Sequence, residues 1–256
     1  MWLKYLCAAF LFFLSMNPAR AGFSLIYSTD FSKSDALSAF LLYGGFASAT
    51  KNCAFDPDFN VLDWRHNHVL IMNLKHKTRT IWNGNTYPYS SSGWTLKPSL
   101  IHGAWEIRVS MACARGVTTY IALYPEDGSW PPEIDFAEGW GNDLNSMSVT
   151  QHYDSDNKFI QNTIPVANIA DYHTYRLEWT PGVLKYYVDG SLKATQSQKI
   201  PSIKMRLCAG TWSSDGANRP IDRQLPTCAR IEYIRIYKFE QPQGNAKVDR
   251  KSGLKQ

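Results

Sequence analysis

The sequence lacks any apolar run long enough to cross a bilayer. The longest, Tyr5 to Leu14, has about ten residues where a spanning helix needs roughly 20. No membrane-embedded domain is expected. Long amphipathic segments are also missing, as is any βαβ alternation, which excludes a helical bundle and a parallel doubly wound fold. Charge is scarce: 19% of residues are charged and the formal net charge is +5, part of it in the tail Lys247 to Lys255. Lys and Arg are not interleaved with aromatics, so nucleic acid is not an expected partner. Cysteine is sparse, five in 256 residues, and no two stand at C-x-x-C spacing, which argues against a metal or redox site. There is no internal repeat and no linker rich enough to split the chain.

At the N-terminus, Lys4 precedes the apolar run, followed by Asn17-Pro18 and the small-residue triplet Ala19-Arg20-Ala21. That order is expected of a secretory signal peptide, residues 1–21, and implies a secreted or periplasmic protein. Residues 22–242 then form the domain, and the polar stretch 243–256 reads as a disordered tail. Export leaves Cys53, Cys113, Cys208 and Cys228, an even set for which at least one disulfide is expected. Cys208 with Cys228 is the preferred pair, since each adjoins a strand-like run and a turn-rich segment separates them.

Aromatic residues are plentiful: fourteen Tyr, twelve Phe and nine Trp. They are more than a core of this size requires, and suggest stacking surfaces. From Gly22 onward, short β-branched and aromatic runs alternate with Gly, Pro, Asn and Asp. Phe23-Tyr27, Val69-Leu74, Trp105-Met111, Thr118-Tyr124, Ser146-Tyr153, Thr174-Trp179, Leu184-Val188, Met205-Ala209 and Arg230-Tyr237 read as strands. Trp105, Ile107, Val109 and Met111 share one face while Glu106, Arg108 and Ser110 share the other, the period of a half-buried antiparallel strand. Asp189-Gly190 marks a hairpin turn. One short helix is expected at Ser34 to Leu42. The expected fold is all-β, a sandwich of two antiparallel sheets.

The run Glu133-Ile-Asp-Phe-Ala-Glu138 carries the chemistry. Period-two alternation puts Glu133 and Asp135 on one face, and Glu138, three residues beyond Asp135, on the other. A β-bulge at Phe136-Ala137 would return Glu138 to the face of its neighbours. Three acids on one face repel, and the usual relief is that one stays protonated. A raised carboxyl beside an ionised one is what acid-assisted glycoside cleavage needs. A solvated acidic strand edge and a calcium site are the structural alternatives. Against them stand the rigid aromatic flanks, Trp130-Pro131-Pro132 and Gly139-Trp140-Gly141, and the apolar Ile134 and Phe136 between the acids.

The motif resembles the bulged E-x-D-x-x-E signature of glycoside hydrolase family 16, the laminarinase, agarase and carrageenase group. Further likenesses are Tyr89 through Gly93 to its Tyr-x-Ser-Gly stretch, Gly103 to Arg108 to its Gly-x-x-Glu-x-Arg strand, and Asp171 to Gly190 to its long strand pair. The resemblance implies a jelly-roll sandwich with a carbohydrate cleft. It implies Glu133 as nucleophile, Glu138 as general acid/base and Asp135 as the assisting acid, with retention of configuration. Trp130, Trp140 and Trp212 are candidates for sugar stacking, His152 for contact with the acids or the sugar, and Tyr89 and Tyr124 for the cleft wall; each could equally be a packing residue. The chain departs from the family at Thr118-Tyr124 and Arg206-Thr211, both cleft-lining stretches. No cofactor is required by this chemistry, and Glu232 stands near the family's frequent structural calcium position. The expected activity is endo-hydrolysis of a β-1,3- or β-1,3/1,4-glucan by a monomer. A transglycosylase on the same acids and a non-catalytic lectin are the rivals.

Overall fold

Alternation of apolar and polar residues along short runs has one stable outcome, two sheets that bury their inner faces against each other. The computed structural model describes residues 22–47, 52–214 and 219–241; the expected signal segment 1–21 and tail 243–256 lie outside them. One sheet runs, edge to edge, β12 (Lys158–Pro165), β11 (Ser146–Asp154), β10 (Glu133–Trp140), β9 (Val117–Pro125), β16 (Met205–Ser213), β7 (Gly93–Leu100) and β2 (Phe40–Leu42). The other runs β15 (Ser191–Gln196), β14 (Val183–Val188), β13 (His173–Thr180), β8 (Gly103–Ser110), β17 (Thr227–Phe239), β5 (Val69–Thr80), β6 (Thr86–Ser91) and β3 (Cys53–Phe55). In this second sheet β1 (Phe23–Thr29) also pairs with β17, and β4 (Asn60–Asp63) with β5. Pairing is antiparallel except between β3 and β6, which run parallel.

The core lies between the sheets. Trp105, Ile107, Val109 and Met111 are all buried, as their alternation requires, and Trp105 stacks on Trp179 of β13 with ring centres 6.0 Å apart. On the outer face of β8, Glu106 pairs with Arg176 and Arg235, and Arg108 with Glu232. Between β14 and β15, Asp189 and Gly190 both have positive φ, 48° and 78°, as a type I′ hairpin turn demands.

Two expectations fail. The helix at Ser34 to Leu42 is a single 3-10 turn, Ala36–Ala39, after which Phe40–Leu42 becomes edge strand β2. Asp35 makes no side-chain cap, and pairing with β7 outweighs local propensity. No disulfide joins the four cysteines, which are free thiols. Cys208 and Cys228 sit in β16 and β17, on different sheets, and alternation turns Met205, Leu207 and Ala209 into the core while Cys208 takes the opposite, cleft side of β16 beside Tyr43. Instead the Cys208 thiol donates to the Ala122 carbonyl at 3.4 Å.

β10 ends on a backbone crossing that leaves no room for a side chain. A Cβ on Gly141 would lie 2.2 Å from the carbonyl oxygen of Ala114 and 2.7 Å from its nitrogen. Gly141→Ala is expected to destabilise the fold by about 1–3 kcal/mol, the usual cost of overpacking. The measurement is the denaturation midpoint against wild type; an unchanged midpoint refutes the close packing described.

Candidate active site

β10 carries the three acids, and its register shows how they come together. Against β11, Asp135 pairs with Thr150 and Glu138 with Ser148, three steps against two. Against β9, Asp135 pairs with Ala122 and Ala137 with Ile121, two steps against one. The extra residue is the bulge, and it lies at Phe136-Ala137. Ile134, Phe136 and Ala137 are buried in the core, while Glu133, Asp135 and Glu138 line one cleft of about 820 Å³.

Neighbouring strands supply the partners. Tyr120 and Tyr124 of β9, four residues apart, project to the cleft side as alternation dictates. The Tyr124 hydroxyl donates to Glu133 Oε1 at 2.5 Å, and the Trp130 indole N–H donates to Oε2 at 2.6 Å. Each oxygen of Glu133 is thus held by one neutral donor. His152 of β11 faces Glu133 in register; its Nε2 lies 3.5 Å from Asp135 Oδ2 and its Nδ1 2.9 Å from Asn157 Oδ1. Its ring is 5.9 Å from Trp130 and 5.6 Å from Phe159. Gly210 of β16 makes space for Tyr120, since a Cβ there would come within 2.7 Å of the tyrosine oxygen.

The electrostatics follow from burial. Burial raises the Asp135 carboxyl well above the usual carboxylate range, and the adjacent charges of Glu133 and Glu138 push the same way. Glu138 is pushed up to about 7, first by burial and then by the charge of Glu133. The Tyr124 phenol is raised by burial and by Glu133, so it acts as a donor. Neutral Asp135 is therefore able to share its proton with Glu133, to which it is hydrogen-bonded. Asp135→Asn keeps the size but removes a movable proton. Hydrogen bonds to charged groups are worth roughly 1.5–3 kcal/mol, so turnover should fall about 10- to 100-fold. Steady-state kinetics checks this, and wild-type turnover would contradict it.

Of the expected stacking and wall residues, Trp130, Trp212, His152 and Tyr124 line this cleft. Trp140 and Tyr89 do not. Trp140 is half-buried at the end of β10, two residues past Glu138 and outside the cleft lining. Tyr89 belongs to the other sheet, where its hydroxyl points at Asp222 (3.5 Å) in a separate cavity bordered by His76, Arg115 and Arg219. Sequence reasoning missed Tyr43, Phe46, Phe55 and Tyr120. Tyr120 was open to inference, being in alternation with Tyr124; the others come from short segments without strand periodicity.

One set of metal-like ligands is found among the described residues: Glu133, Asp135 and His152, with ligand atoms within 4.8 Å of one another. Tyr124 and Trp130 already take two of the roughly four lone-pair sites of the Glu133 carboxylate. Glu232, near the expected calcium position, is bonded to Arg108 Nε at 2.6 Å.

The model of glycosyl hydrolases family 16 matches residues 55–235. The chain belongs to glycoside hydrolase family 16. It is 36% identical over 109 residues to the endo-1,3-1,4-beta-glycanase ExsH of Rhizobium meliloti, covering 41% of this chain and 23% of that one. It is 28% identical over 201 residues to a beta-glucanase of Acetivibrio thermocellus, covering 76% and 57% respectively. The chain thus spans less than two thirds of the length of either relative. In fold, this family 16 chain resembles the laminarinase catalytic domain from Thermotoga maritima, with a TM-score of 0.74 at 21% identity over 86% of this chain and 99% of that one.

Proposed function

We propose that this family 16 protein is an exported, retaining endo-glycosidase that hydrolyses internal β-glycosidic bonds of a β-1,3- or β-1,3/1,4-glucan. The observation that carries the reading is the bulge at Phe136-Ala137, which sets three acids on one side of a strand in a cleft. Glu133, its two oxygens oriented by Tyr124 and Trp130, attacks the anomeric carbon. Glu138, protonated below about pH 7, gives its proton to the departing glycosidic oxygen. A covalent glycosyl-enzyme forms; Glu138, now ionised, takes a proton from water, which releases the sugar with its configuration unchanged. Asp135 moves a proton towards Glu133 as that carboxylate regains charge. The linkages follow the name of the Rhizobium meliloti glycanase and the glucan that of the Acetivibrio thermocellus beta-glucanase, and export rests on the N-terminal segment. The mechanism needs no cofactor.

The test is to follow the products from laminarin and lichenan by proton NMR in the first minutes of reaction. The β-anomer should appear first and mutarotate later. Immediate formation of the α-anomer would overturn double displacement, and no cleavage of any β-glucan would overturn the substrate class and favour a lectin.

A further inference from the structure

The tryptophan Trp82, used by neither the core nor the acids, is 81% exposed. It stands at the tip of the β5–β6 hairpin, in a turn held by three bonds: Ile81 N–H to Asn85 O, Gly84 N–H to Ile81 O, and Asn85 N–H to Asn83 Oδ1. Gly84 has φ of 83°, which lets the turn close. Ile81, by contrast, is buried against Ala47, Ala54 and Tyr87, so the hairpin is anchored immediately behind the indole. A large apolar side chain fixed in solvent by an ordered turn gains nothing from the free protein; it gains by covering something else.

Its neighbours say what. A Cβ on Gly45 would lie 3.8 Å from Trp82 Cδ1, so the indole rests beside the Gly45 backbone. The next residue, Phe46, is 41% exposed and lines the cleft of the three acids, together with Ala47. Phe46, Tyr43 and Phe55 form a trio with ring centres 5.2–5.4 Å apart. The aromatic wall of the cleft thus ends at Phe46, and Trp82 stands beside the adjoining residue, Gly45. Scattered exposed hydrophobics need no explanation, but an exposed tryptophan beside the segment that lines a cleft is placed to extend it.

We infer that Trp82 is an outer sugar-binding platform, on which a pyranose of a glucan chain stacks after leaving the cleft at Phe46. The ligand is the apolar face of a sugar ring, presenting C–H groups to the indole, with no charge required. This rests on the glucanase reading and adds that the enzyme favours chains long enough to reach from the acids to the hairpin tip. The turn fixes the backbone that carries the indole, so no loop ordering is needed for binding.

The experiment compares wild type, Trp82→Ala and Trp82→Tyr on polymeric laminarin and lichenan and on their short oligosaccharides. Stacking energies of the aromatic kind correspond to about 2- to 10-fold in affinity. Trp82→Ala should raise KM for polymer by about that factor, leave kcat and the shortest cleaved oligosaccharides unchanged, and be largely restored in Trp82→Tyr. Equal effects on short and long substrates, or none on either, overturn the platform. Native gels cast with the same glucans provide a readout without turnover: Glu133→Gln should be retarded, and the Glu133→Gln/Trp82→Ala double variant less so. Wild type that cleaves no β-glucan refutes the proposed function; equal mobility of the two gel variants refutes the platform. Unchanged melting of Trp82→Ala is expected, since the side chain is exposed.

Discussion

Glu133→Gln should lose roughly 10⁴-fold or more in turnover, the scale on which removal of a covalent nucleophile acts, while the protein remains folded and able to bind glucan. Gln matches Glu in shape, so the side chain stays between Tyr124 and Trp130. Its single amide oxygen can still accept from the Trp130 N–H, which can only donate. The amide NH₂ then faces Tyr124, whose hydroxyl rotates to accept. Neither partner is orphaned, and melting should change little. Loss of the carboxylate, however, removes the group that the proposed mechanism places to trap the oxocarbenium-like centre. Glu133→Ala goes further by opening a space there. On an aryl glycoside with a good leaving group, added azide should restore turnover and yield the glycosyl azide of inverted configuration. Near-wild-type rates for Glu133→Gln, or rescue that yields the retained azide, would remove Glu133 from the nucleophile's role.

Glu138→Gln carries the second large effect, and its sign can be worked out. A general acid acts while protonated, so kcat/KM of the wild type should fall as pH rises through about 7, where Glu138 titrates. In Glu138→Gln that alkaline limb should vanish. Turnover of the polysaccharide should drop by roughly 10²- to 10⁴-fold, the usual worth of general acid catalysis. Formation of the glycosyl-enzyme from an aryl glycoside with an acidic phenol should be far less affected, because that leaving group needs no proton. Persistence of the alkaline limb would assign the titration elsewhere.

The same substitution should stabilise the protein at neutral and higher pH. Glu138 is raised in the folded state from 4.5 to about 7, so folding binds a proton between those values. Its contribution is fully present below about 4.5 and is lost as pH rises to about 7. At 1.36 kcal/mol per unit the loss amounts to about 3 kcal/mol. Gln carries no charge to bury and avoids it. A higher melting point for Glu138→Gln at pH 8, shrinking towards that of wild type at pH 4, is the expected pattern. On the proposed mechanism stability is here set against function: the buried, mutually repelling acids are costly to the fold and needed by the reaction.

Local periodicity was a good guide wherever one sheet face met the core. Trp105, Ile107, Val109 and Met111 alternate in the sequence and are buried together. It was a poor guide at the short edge strands β2 and β3, and at β6 and β7, whose prolines and serines lower strand propensity. Those segments become strands because neighbours offer backbone partners, a non-local cause. The cysteines teach the same lesson: sequence proximity to strand-like runs suggested Cys208 with Cys228, but their sheets differ.

At the site, the sequence by itself determined the chemistry available: three carboxylates within six residues, spaced so that one bulge unites them, with Trp130 close enough along the chain to reach Glu133. It also determined the order of apolar positions that seats this strand in a core. Tertiary structure alone decided that the bulge exists, since an extra residue is recognised only against the registers of β9 and β11. It alone placed Tyr89 in another cavity and gathered Tyr43, Phe46 and Phe55 into the cleft wall. The reason is physical. Alternation says which face a side chain takes, whereas which side chains meet depends on strand pairing and sheet curvature, and those are settled by contacts between residues far apart in the chain.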